Sequence, residues 1–76
     1  MITDRDVDRA TMSARRQLNR WRAELGDMSA HSEVAMKAAL AIDVLKAVRA
    51  EAGPQKWGVI DRLIAELEAF RKTLSH

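Results

Sequence analysis

Four arginines, Arg15, Arg16, Arg20 and Arg22, fall within eight residues with no acidic residue between them. A guanidinium is always charged and presents a planar fork of donors to a carboxylate or a phosphate. Such a cluster can therefore meet an acidic protein or a nucleic-acid backbone. On a helix, Arg5, Arg9, Arg16 and Arg20 would share a stripe about 60° wide. The same stripe is also what the solvated face of an amphipathic helix looks like, and Asp4, Asp6, Asp8, Glu24 and Asp27 lie close by.

Little else in the chain carries chemistry. The two histidines, His31 and His76, have no metal-ligand spacing. Arg71 and His76 form an Arg-x4-His spacing that also occurs in some helical ribonucleases, but here the histidine is the last residue. Glu66 and Glu68 are two apart, so on a helix they point to different sides and cannot work as a close acid pair. There is no phosphate-binding glycine loop and no serine nucleophile with a plausible base. The absence of cysteine removes thiol catalysis, cysteine zinc sites and a disulfide scaffold, and fits a cytoplasmic protein. The expectation is a non-enzyme with no cofactor and no metal.

Two tryptophans add anchoring capacity, because tryptophan and arginine are the residues most enriched at interface hot spots. Trp21 reads as core; Trp57, beside Gly58 near a turn, reads as core or as a half-exposed partner anchor. Met12, Met28 and Met36 suit adaptable packing in a core or at a binding surface, with the core preferred.

These residues must be positioned by a chain of 76 residues, enough for one domain only. At 47% hydrophobic and 32% charged it has the balance of a folded protein. The net charge of +2 is too small an excess to argue for nucleic acid by itself. No apolar run approaches the roughly 20 residues a membrane span needs, and the start lacks an apolar signal core.

One proline and three glycines cut the chain into three segments that read as helices. In the first, Thr3 with Asp6 is a capping-box-like start and Gly26 a natural stop. Between them Val7, Thr11, Ala14, Leu18, Trp21, Leu25 and Met28 alternate by four and three, the period of a helix packed lengthwise on another. The second opens at Asp27 or Ser29 and ends at Gly53, read as a C-terminal glycine before Pro54. Its apolar residues divide into two arcs that together cover about 240°. One arc holds Val34, Ala41, Ile42, Leu45 and Val48; the other holds Met36, Leu40, Val44 and Ala47. A helix apolar over so wide an arc needs neighbours on two sides. The third can start at Pro54, or be delayed by Gly58 to about Val59, and shows one broad face through Ile60, Leu63, Ile64, Leu67, Phe70 and Leu74. Arg62 with Glu66 and Glu68 with Lys72 are spaced for pairs on its outer surface.

The fold class is therefore all-α, a single domain over 1–76 with helices at about 4–25, 29–52 and 55–74. It is a helical hairpin plus a third antiparallel helix in a small bundle, completed by dimerisation through Met36, Leu40, Val44 and Ala47. The expected function is a protein-binding module, a regulator or inhibitor that occludes its target. Its partner-binding candidates are Arg15, Arg16, Arg20, Arg22 and Trp57. Small alanine- and arginine-rich helical proteins of phages and mobile elements that disable host factors are the analogy. The alternative is a nucleic-acid-binding regulator that uses the arginine stripe.

Overall fold

Thr3 starts the first helix in a computed structural model of the protein, which describes residues 2–24 and 31–74. Its hydroxyl accepts from the Asp6 amide at 3.2 Å, and the Asp6 carboxylate accepts from the Thr3 amide at 3.1 Å. This is the reciprocal capping box expected there, and it satisfies two amide donors that the first turn leaves open. Helix α1 runs Asp4–Ala23, α2 runs His31–Glu51 and α3 runs Pro54–Thr73. All three pack on one another, and no strand occurs among the described residues. The expected stop at Gly26, caps at Asp27 or Ser29, seam residues Leu25 and Met28, and His76 lie outside the described residues.

The α1 seam is buried over Val7, Thr11, Ala14, Leu18 and Trp21. Thr11, its one polar member, donates its hydroxyl to the Asp8 carbonyl at 2.9 Å, so no buried hydroxyl is left unpaired. Ala38, Ile42 and Leu45 enter the core from α2, and Ile60, Leu63, Ile64, Leu67 and Phe70 from α3. Trp21 and Phe70 stack with ring centroids 6.2 Å apart, joining α1 to α3. Trp21 is core, as read from the seam.

The turn between α2 and α3 differs from expectation. Gly53 has φ −67° and ψ 149°, so it is an extended N-cap of α3 and not a left-handed terminator of α2. The reason is Pro54, whose ring drives the preceding residue out of the helical region. The end of α2 is closed instead from α3. The Trp57 indole N–H donates to the carbonyls of Arg49 at 3.1 Å and Ala52 at 3.2 Å.

Gly58 does not delay the helix, which is regular from Pro54 onward. A Cβ added at Gly58 would meet nothing within 4 Å. Gly58→Ala should therefore stabilise the domain by about 0.5–1 kcal/mol through helix propensity and unfolded-chain entropy. A thermal melt should show a midpoint higher by roughly 2–8 °C; an unchanged or lower midpoint would mean that Gly58 faces a neighbour.

Candidate binding surface

The second apolar arc of α2 faces outward. Met36 is 69% exposed, Leu40 60% and Val44 57%, and Ala47 is exposed as well. These are the four residues expected to form a second interface. Met36, read by residue type as core, is on the surface, and so is Met12 at 55%. The correction follows from position: Met36 heads the outward arc of α2, and Met12 is one step off the α1 seam, beyond Thr11.

Beside this stripe a groove opens between α1 and α2. Its α1 wall is Ala10, Ser13, Ala14, Gln17 and Trp21, and its α2 wall is Lys37, Leu40, Ala41, Val44 and Leu45. Alanine and serine on α1 keep that wall low, which lets the groove reach inward to Trp21 and Leu45.

The arginine cluster is divided by the fold. Arg15 turns toward α3, where it meets Glu66 at 2.7 Å. Arg16 and Arg20 join Arg5 and Arg9 along a second shallow groove on the outer face of α1, with Met12, Ser13 and Gln17 between them. Arg22 is exposed in the last turn. Among the described residues none of Arg5, Arg9, Arg16, Arg20 and Arg22 is ion-paired. Asp8 also borders this groove, but Lys56 holds it at 3.0 Å.

The expected pairs along α3 give way to pairs between helices. Glu66 binds Arg15 of α1, and Glu68 approaches Lys46 of α2 at 3.9 Å. Arg49 grips Asp61 through two nitrogens at 2.7 and 3.3 Å. Its guanidinium also lies 4.4 Å from the centre of the Trp57 ring. Trp57, a partner-binding candidate, is thus the clamp of the α2–α3 turn, with 37% of its surface still open.

Two carboxyls titrate below their ordinary range. Hydrogen bonds from the Thr3 amide and hydroxyl lower Asp6, and the hydrogen bond from Arg15 lowers Glu66. A carboxyl depressed in the folded state contributes stability above its unfolded pKa and loses it as pH falls through the folded value. The melting midpoint should therefore be flat from neutral pH to about pH 5 and fall below about pH 4. A midpoint that holds steady down to pH 3 would show that neither contact matters to the fold.

No three His, Asp or Glu side chains gather to hold a metal ion among the described residues. No described helix is long and apolar enough to cross a membrane. Compared with known proteins, the chain matches no protein family, no curated protein and no solved structure.

Sequence reasoning found the stripe and the arginines but missed the groove that adjoins both. Ala10 and Ser13 flank the α1 seam, and small residues in that place were the signal.

Proposed function

We propose that the chain is a non-enzymatic helical module that binds another protein through the outward face of α2, as a regulator or inhibitor that occludes its target. The observation that carries this reading is the row Met36, Leu40, Val44 and Ala47. It leaves large apolar side chains in water on a domain that has already closed its core with other residues of the same helix. Contiguous exposed apolar surface on a small protein marks an interaction site.

The test is affinity capture from the native cell with two baits, the wild type and Leu40→Lys with Val44→Lys, each checked for helicity by circular dichroism. A protein held by the wild type and lost by the variant supports the reading. Equal capture by both baits overturns it.

A second copy is the competing occupant of this face, since a two-fold dimer buries such a stripe against itself. Light scattering decides between a mass near the 8.5 kDa monomer and one about twice as large. The arginine face of α1, without ion pairs among the described residues, favours one other reading, binding to nucleic acid. Tight duplex binding that falls steeply with salt would support it at the expense of the protein-binding reading.

A further inference from the structure

Three features of the surface are continuous. Ser13 and Gln17 line both the arginine groove on the outer face of α1 and the apolar groove between α1 and α2. The apolar groove in turn runs into the exposed Leu40 and Val44. Across α1 toward α2 the order is therefore a row of cations, the uncharged polar side chains of Ser13 and Gln17, an apolar channel and an apolar stripe. Lys37 stands on the far wall of the channel.

We infer that this composite surface receives an acidic amphipathic helix of another protein, with apolar side chains in the α1–α2 groove and carboxylates on Arg9, Arg16 and Arg20. The inference rests on the protein-binding reading and names the chemistry of the partner. A channel bounded by two helices suits a rod, and an amphipathic helix laid in an apolar groove is a recurring mode of recognition. Arg9, Arg16 and Arg20 are seven and four residues apart, which on a helix is about 10.5 and 6 Å of rise. A second helix lying alongside matches those steps with acidic residues at the same spacings. Arginine suits this role because its fork donates two parallel hydrogen bonds to a carboxylate.

Charge argues against a second copy of this chain. Asp8, Glu33, Asp61, Glu66 and Glu68 are already tied to Lys56, Lys37, Arg49, Arg15 and Lys46. Asp6 is occupied with the Thr3 cap. Among the described residues that leaves Asp4, Glu24, Asp43 and Glu51, which on neither helix repeat the seven- and four-residue steps of Arg9, Arg16 and Arg20, so a partner with acidic residues at those steps complements the row better than a second copy does.

The probe is a fluorescein-labelled synthetic helix of three heptads with leucine at the inward positions and glutamate flanking them. Its twin carries lysine for glutamate, and a 20-base-pair DNA duplex serves as a third ligand. Anisotropy titrations at 0.1 M salt should give micromolar binding of the acidic helix and at least tenfold weaker binding of the lysine twin. Arg16→Glu with Arg20→Glu, helical by circular dichroism, should weaken the acidic helix at least tenfold. Leu40→Lys should weaken it as well, although it adds a positive charge; attraction by charge alone would be strengthened by that change.

Equal affinity for the two helices overturns the inference, as does undiminished binding by either variant. Tighter binding to the duplex, indifferent to Leu40→Lys, assigns the surface to nucleic acid. A wild-type dimer that Leu40→Lys dissociates assigns it to a second copy. A captured protein lost by the Leu40 and Val44 bait but retained by the double arginine variant would leave the protein-binding reading standing and remove this inference alone.

Discussion

Leu18→Ala is expected to cost about 2–5 kcal/mol, the range for removing buried methylenes and leaving a cavity. Leu18 is fully buried at the middle of the α1 seam. A 76-residue domain has roughly 4–11 kcal/mol of stability in all, at about 0.05–0.15 kcal/mol per residue. The midpoint of thermal unfolding should therefore fall by roughly 10 °C or more, and a cost of about 5 kcal/mol would unfold the variant near room temperature if the total stability lies at the low end of that range. Arg16→Glu with Arg20→Glu, on the opposite side of the same helix, should shift stability by no more than about 0.5 kcal/mol for each exposed change. If the arginine variant unfolds and Leu18→Ala melts normally, the two faces of α1 have been exchanged.

Ala38→Leu comes next in size. Ala38 has no exposed surface on the inward face of α2. Three added heavy atoms there must displace neighbours, at a cost typically near 1–3 kcal/mol. The matched control is Ala47→Leu on the outward arc of the same helix, which should stay within about 0.5 kcal/mol. Chemical denaturation of the pair reads the orientation of α2 directly. Equal stability of the two variants would mean that α2 is rotated from the arrangement described here.

The α1 seam was legible because its four-and-three spacing holds with Thr11 as the one polar member, and every seam residue within the described part of α1 is buried. The two faces of α2 were legible for a different reason: its apolar arc is wider than contact with α1 and α3 can cover. Residue type misled where it was set against position. Met12 and Met36 were assigned to the core as methionines, yet both occupy outward positions. Gly58 stays helical because an interior glycine costs only about 1 kcal/mol, less than the burial of Ile60, Leu63 and Ile64 on the same face contributes.

The partners of Glu66 and Glu68 could not be read from spacing, since a pair within one helix is worth only about 0.2–0.5 kcal/mol and yields to any better partner that packing brings near. The α1–α2 groove was hidden too. Its depth depends on how far apart two helices sit, which is a property of the whole bundle and not of either segment.

The cross-helix ion pairs found among the described residues all have one end on α3. Arg15 and Asp8 reach it from α1, and Lys46 and Arg49 reach it from α2. The Trp57 clamp and the Trp21–Phe70 stack also join a neighbour to α3. Mechanically, α3 is the spine of a book whose covers are α1 and α2. Swinging the covers apart along their shared margin breaks none of those pairs, whereas pulling either from the spine breaks at least two. Among the described residues the channel between the covers is therefore bridged by no ion pair and bounded by the side chains of Ala14, Trp21, Ala41 and Leu45, so a guest that changes its width leaves every pair to the spine intact.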